Sequence, residues 1–592
     1  MTIAINYKKR KNTNLFNKMQ TNQRLLIDHI QNYIPIYNSF FSLNDTNFNS
    51  INLNNELFLL DINNKTKNTN SDNVIEQIFS ATIQNNSDTE MSHKQNIFIK
   101  IAPLLDPCKY LTGKYDHTDE TLFNLPNRDK SINIHPKILN PNNSSYVDGF
   151  FSYLSSKTLH EYNFIHGIDY FGSFLGIKNN YKINVIDDID YLAQSDFFNK
   201  NADVMFKIDN YEQFVDNYDI KQTLKPLIID HESNHNIVFD DIYTTDGTIS
   251  LNDMKTMNID LIDITNTEFN IDNIELTQND SKSLKTKSTT SCSSGTCSSR
   301  TSHTNENDDC SSTNDSSNDS SNDSNSTWIS DDSSSIEETT LYATIPKFPV
   351  QLICTEQCEN TLDYLIINEL LSNDEFFSSL MQIIMILITY QHMFSFTHND
   401  LHTNNIMYIN TTKKYIYYLY NKTYYKVPTY GRIFKIIDFG RAIYKFKGQI
   451  CCSDSFQIGG DAATQYNTEP FFNENKPRLE PNFSFDLCRL ACSIFDYVID
   501  ELDDIKTEEG LSNPIIQLIN AWCIDDNGIN VLYKTNGNER YPDFKLYKMI
   551  ARCVHNHTPQ SQLDRPEFSK FVIPNSPKGE QIFNIDILPS YI

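Results

Sequence analysis

His398-Asn399-Asp400-Leu401-His402-Thr403-Asn404-Asn405-Ile406 is a polar run that closes on the start of a short apolar strand, Ile406 to Ile409. Downstream, Lys435-Ile436-Ile437-Asp438-Phe439-Gly440 is an apolar strand ending in an acid and a glycine. Either stretch alone is an ordinary loop or strand end, and a lone acid there is more often solvated than functional. Together they place a carboxylate, a carboxamide and a second carboxylate at the ends of two strands, with Asp400 and Asn405 five positions apart and Asp438 a further 33 along. Between them Thr411 to Tyr430, rich in Tyr and Lys, reads as an enlarged β-hairpin.

Working outward, Phe376 to Phe396 carries a long helical pattern, and helical patterns resume from Asp486 to Ile573. The other half is strand-like. Leu57 to Ile62, Ile75 to Ile83 and Ile97 to Ala102 are short β-type runs between polar turns, Tyr170 to Ile177 is another, and Phe348 to Thr355 is a compact apolar run that suits a buried strand. Ser144 to Asn163 reads as a helix with Tyr146, Val147, Phe150, Phe151, Leu154 and Leu159 inward. Strands first and helices last predicts an α+β fold. Arg24 to Tyr37, with Leu25, Leu26, Ile30 and Ile34 at helical spacing, predicts an amphipathic helix within an extension over 1–55. The strand-rich part is then expected over 56–180 and again over 345–358, the helical part over 359–575, and a tail over 576–592. An insertion is expected over 181–344. Within it, 281–335 is so rich in Ser, Asn, Asp and Thr that it cannot recover the entropy of ordering, and disorder is expected.

The hydrophobic fraction of 39%, with 37 Phe and 32 Tyr, can fill a substantial core. A net charge of −27 disfavours a polyanion, so nucleic acid is not an expected partner. The 12 Cys are scattered without the paired clusters of a zinc site, which suggests free thiols in a reducing compartment. No membrane span is expected, because no run of about 20 apolar residues appears. Met1 to Asn12 is basic with no apolar run behind it, so no signal peptide is expected either. The expectation is a soluble, intracellular protein.

Phosphoryl transfer needs a base for the acceptor hydroxyl and oxygen ligands for Mg²⁺, and Asp400, Asn405 and Asp438 supply them. H-N-D-L-x-x-x-N followed by D-F-G resembles the catalytic and magnesium loops of the eukaryotic-type protein kinases. The resemblance implies a bilobal fold with a β-rich N-lobe and a mainly helical C-lobe, and an enzyme that moves the γ-phosphoryl group of ATP to Ser/Thr hydroxyls of a protein substrate. Asp400 is then the catalytic base, Asn405 and Asp438 hold Mg²⁺, and Phe439 packs to set the metal loop. Lys100, inside Ile97-Phe98-Ile99-Lys100-Ile101, resembles the V-A-I-K lysine that meets ATP phosphates; a lysine in an apolar strand must otherwise snorkel to water. Glu161 and Asp148 are both candidates for its acidic partner. Ile78 resembles a residue of the strand after the nucleotide roof. Gln351 to Cys358 resembles the last strand and hinge, with Thr355 at the gate and Glu356 and Cys358 holding adenine through backbone groups. Asp486 resembles the helix-start aspartate that braces the catalytic loop. In Asp564-Arg565-Pro566 the arginine is implied to pair with Glu469 or Glu480. The Y-V-D-G-F-F-S-Y-L-S-S and G-G-D-A segments bring the likeness nearest to divergent Ser/Thr protein kinases of large DNA viruses, over about 90–180 and 345–575. A host-cytoplasm or virion setting would follow.

The departures are specific. Ser71 to Ala81, where a glycine-rich roof belongs, contains no glycine, which favours weaker nucleotide binding or a pseudokinase scaffold. Asn399 replaces the usual arginine, so activity is not expected to require phosphorylation within Gly440 to Pro481. His402 takes the place of a loop lysine, and H-x-D-L-H-x-x-N is similar to the loop of aminoglycoside and choline kinases, a small-molecule alternative.

Overall fold

The computed structural model describes residues 3–63, 77–87, 91–129, 131–209 and 341–592. The expected disordered tract 281–335 and most of the expected insertion lie outside the described residues, as do 64–76, which hold part of the expected roof. The described fold is mixed α+β: one large sheet takes five strands from residues 27–184 and one from 342–356, while the longest helix lies after 370, among further short strands.

One antiparallel sheet dominates. Its strands β1 (Ile27–Gln31), β2 (Leu57–Ile62), β3 (Ile78–Asn85), β4 (Ser92–Pro103), β5 (Tyr170–Asn184) and β6 (Tyr342–Glu356) lie in the order β1-β5-β6-β4-β3-β2, and Lys207–Ile208 pairs with β6. β4 alternates from Ile97 to Lys100, with Ile97 and Ile99 fully buried while Phe98 and Lys100 point to the other face, and the alternation breaks at half-buried Ile101 and buried Ala102. In register, Lys100 faces Ile353 of β6, and Ile78 of β3 faces Phe98.

β1 departs from the sequence reading. The helix expected over Arg24 to Tyr37 is a strand on the sheet edge, paired to β5. Leu26 and His29 hold positive φ of 47° and 54°, which an α-helix cannot contain, and Pro35 restricts Ile34 to extended backbone. The bulged strand and the turns around it bury Leu25, Ile30 and Ile34 but leave Leu26 exposed. A helix does form earlier, α1 (Thr13–Gln20), with Leu15 and Met19 buried.

α2 (Ser144–Tyr162) matches its expected span. Asn143 caps its first turn, and Asn163 closes it in the left-handed region at φ 57°. It is buried almost all round, and Phe151 is its hub, with Phe396, Phe439 and Tyr444 rings 4.3, 4.7 and 4.8 Å away. α3 (Asn373–Phe394) starts at a capping box of Ser372 and Glu375. It is long and apolar enough to cross a membrane, but nearly all of it is buried inside the protein. α4 (Phe485–Val498) packs against α5 (Pro514–Trp522) and α6 (Lys545–Cys553).

Between the two motif loops, β7 (Ile406–Asn410) pairs with β10 (Arg432–Ile436), and the intervening residues form the hairpin of β8 (Tyr415–Tyr420) and β9 (Thr423–Pro428). The enlarged hairpin is therefore present. It is anchored by His166, whose Nδ1–H donates to the Phe434 carbonyl at 2.7 Å while Nε2 accepts from the Tyr418 hydroxyl at 2.6 Å. Complete burial lowers this imidazole from its ordinary 6.5 to about 3, so it is neutral in the folded protein. The unfolded chain takes up the proton first, so the stability present above pH 6.5 is lost as pH falls toward 3. From pH 7 to pH 5 the loss due to this one group is about 2 kcal/mol. Urea unfolding of the protein and of His166→Gln at both pH values checks this: the variant should show a flatter dependence, and parallel slopes would refute it.

Candidate active site

Lys100 on β4 is aimed at α2. Its Nζ lies 2.7 Å from Asp148 Oδ2 and 2.8 Å from Asp438 Oδ1. Asp148 Oδ1 accepts from the Phe439 backbone N–H at 3.0 Å, so one carboxylate joins the strand lysine and the turn at Asp438 to Gly440. The partner left open between two acids is therefore Asp148; Glu161 pairs with Lys157 one helical turn away. Burial would lower the Lys100 ammonium, but the two carboxylates outweigh it and hold it charged. Burial would likewise raise Asp438, and Lys100 outweighs that, holding it ionised. On Asp148 burial prevails, and its carboxyl stays above the usual range. Asp438 has φ 62°, a left-handed conformation that aspartate tolerates and that turns its carboxylate out of the strand line.

The Asp400 loop is braced from beneath. Asp486, at the start of α4, accepts the backbone N–H groups of His398 at 2.9 Å and Asn399 at 2.8 Å. His398 Nε2–H donates to the Ile437 carbonyl, and its Nδ1 accepts the Asp400 N–H at 3.3 Å. Asn405 Nδ2 donates to the Asp400 carbonyl at 3.0 Å, leaving Oδ1 as its acceptor, and its own carbonyl accepts from Ile437 N–H. The two motif loops are thus one hydrogen-bonded unit. The Asp400 carboxylate is buried, which alone would raise it, but Arg441 first, then His402 and Arg489, hold it well below the usual range. Tyr547 of α6 donates its hydroxyl to Asp400 Oδ1 at 2.8 Å. Burial lowers His402 to about 4, so it is neutral near pH 7.

A cavity of about 600 Å³ is lined by Lys100, Asp148, Asp400, Asp438 and Arg441 together with residues drawn from 102–109, 135–145 and 454–461. That volume suits a small-molecule ligand. Asn405, Ile78, Glu356 and Cys358 are not among its lining residues. Glu356 ends β6 and is tied elsewhere: its carboxylate takes Lys435 Nζ at 2.6 Å and the Asp169 N–H at 2.7 Å, while its own N–H donates to the Asp169 carbonyl. Cys358 is buried beside it, and burial pushes its thiol up.

The segment after Gly440 is held by contacts to the Asp400 loop and to α2. Asn399, fully buried at φ 64°, donates to the Arg441 carbonyl and accepts from the Tyr466 hydroxyl at 2.8 Å. Asp454 takes Lys137 at 2.5 Å and the Ser144 N–H at the start of α2. The pairing implied for Arg565 is not formed: it lies beside Glu567, and Glu469 and Glu480 both meet Arg478.

The donor set fits a hard cation. The Asp438 side chain keeps 31% of its surface open, and Asn405 retains a carbonyl oxygen beside the same loop. Among the described residues no three His, Cys, Asp or Glu could hold a metal alone, so a Mg²⁺ would take ligands from bound phosphates, as it commonly does. Sequence reading missed Arg441, Arg489, Tyr547, Lys435 and the Lys137–Asp454 pair. Of these, Lys435 gave a signal, a lysine inside the apolar run of β10, the same pattern that marked Lys100.

Against known proteins, the chain matches no family model and no curated protein sequence.

Proposed function

We propose that the chain is an ATP- and Mg²⁺-dependent phosphotransferase with a bilobal, protein-kinase-like fold, acting on Ser/Thr hydroxyls of a protein. The observation that carries this reading is the convergence of Lys100, Asp148, Asp438 and Asp400, from four separate segments, on the wall of one cavity. Lys100, kept charged, binds phosphate oxygens. Asp438 and Asn405 would hold Mg²⁺, which supplies charge neutralisation on the phosphates. Asp400, kept ionised, orients the acceptor hydroxyl and takes its proton. Ile78 and the Glu356 to Cys358 segment lie outside the cavity lining, so the base would have to reach past it to be flanked by them, with Lys435 fixing Glu356 from behind. The Asn399 and Asp454 contacts favour a site assembled without phosphorylation of the segment after the metal loop.

Unfolding temperature with and without ATP and Mg²⁺ tests the reading. At ligand a hundredfold above Kd, binding stabilises by about 2.7 kcal/mol, and the upward shift should need the metal. Transfer of label to serine and threonine peptides, but not to choline or an aminoglycoside, should follow. No shift with any nucleotide would sink the proposal. A metal-independent shift without transfer would favour a scaffold, the reading suggested by the absence of glycine over Ser71 to Ala81.

A further inference from the structure

Arg441 follows Gly440 directly and is only 8% exposed. Its Nη1 has no hydrogen-bond partner among the described residues, stands 3.9 Å from Asp400 Oδ2, and belongs to the cavity wall. A buried donor left without an acceptor is rare in folded proteins, because nothing replaces its lost hydration. The other cations of this wall are already engaged: Lys100 with Asp148 and Asp438, Lys137 with Asp454, and Lys109 with the Gly459 carbonyl.

The separation of 3.9 Å is too long for a hydrogen bond, yet it is a width that one oxygen can bridge. An oxygen about 2.8 Å from both atoms would make a nearly right-angled corner. A hydroxyl there donates its hydrogen to Asp400 Oδ2 and accepts from Arg441 Nη1. Both walls of this seat are fixed from behind. The Arg441 guanidinium lies over the rings of Tyr547 and Phe544, 5.6 and 5.8 Å from their centroids. Tyr547 in turn holds the other Asp400 oxygen and accepts from Arg489 Nε at 2.9 Å.

We infer that Arg441 Nη1 and Asp400 Oδ2 together seat the acceptor oxygen, which makes Arg441 a catalytic residue; the inference rests on the phosphotransfer reading. The acceptor oxygen forms the new bond to the γ-phosphorus as the bond from that phosphorus to the β–γ bridging oxygen breaks. ADP leaves with the electron pair, the hydroxyl proton passes to Asp400, and the guanidinium stabilises charge developing on the acceptor oxygen.

The test uses the full chain with ATP and Mg²⁺, following label into a degenerate serine/threonine peptide mixture, into the chain itself and into free phosphate. Arg441→Ala should lower kcat about a hundredfold, leave the Kd values of ATP and ADP unchanged, and regain part of its rate with millimolar guanidinium ion. Arg441→Lys, which keeps the charge but cannot place a donor at the same point, should fold normally and still lose at least about tenfold; it decides the matter if the alanine variant does not fold. Wild-type rates in the lysine variant would overturn the seat. So would a loss of affinity for ATP but not ADP, which would put the guanidinium on the γ-phosphate. A wild-type chain that binds nucleotide to no measurable extent and transfers label to none of the three acceptors overturns the phosphotransfer reading and this inference with it.

Discussion

Asp400→Asn is expected to slow phosphotransfer by about 10³-fold while ATP still binds. The substitution keeps shape: the amide oxygen can accept the Tyr547 hydroxyl as Oδ1 does now, and the loop stays pinned through Asp486 and His398. What is lost is the acceptor for the substrate proton and the negative charge between Arg441 and Arg489. Nucleotide contacts proposed for Lys100 and Asp438 lie on other elements, so ATP affinity should hold within about twofold. Isothermal titration and single-turnover kinetics separate the two quantities. Equal labelling by variant and wild type would mean a contaminating kinase or a carboxylate without a chemical role. Loss of ATP binding together with rate would mean that Asp400 shapes the pocket instead.

Much of the frame was legible in the chain because it depends on local pattern. The short apolar run Ile97 to Ala102 read as a strand and singled out Lys100 as the charge inside it, and apolar residues at helical spacing gave α2 over Ser144 to Asn163, one residue beyond its observed end. The enlarged hairpin followed from the extra positions between the two motifs relative to the kinase pattern they resemble, and from their Tyr- and Lys-rich composition. The choice between Asp148 and Glu161 was not legible, since both lie on α2. Which turn meets β4 depends on how Phe151 packs against Phe396, Phe439 and Tyr444, residues from three later segments. The Asp454 contacts to Lys137 and Ser144 join positions more than 300 apart, and no period in the sequence encodes them. Arg441 stood beside a motif that had been read closely and was passed over, because its setting is made by Tyr547 and Arg489 from distant helices. The strand at Ile27–Gln31 was misread for a different reason: positive φ at Leu26 and His29 leaves no mark in hydropathy.

Lys100→Met should abolish transfer and also cost about 3 kcal/mol of stability, and the second effect decides how the first is read. The amine is the cation set directly between Asp148 and Asp438, and the Asp148 side chain is only 4% exposed. Without it two carboxylates face each other, and the buried one can escape only by taking a proton. Its carboxyl is already held above the usual range by burial and would rise further. The sign follows: an acid whose folded pKa exceeds its unfolded value destabilises the fold as pH rises through that interval, so the deficit of the variant should be greatest near pH 7 and shrink as the pH is lowered. Asp148→Asn added to Lys100→Met should recover most of the stability at pH 7, because the amide oxygen can still accept the Phe439 N–H, yet restore no transfer. Urea unfolding at pH 7 and pH 5, with label transfer measured on the same preparations, tests both halves. A single variant as stable as wild type would show that the lysine does not neutralise the pair. A double variant that regains stability and stays inert would assign the lost rate to Lys100 itself rather than to a damaged fold.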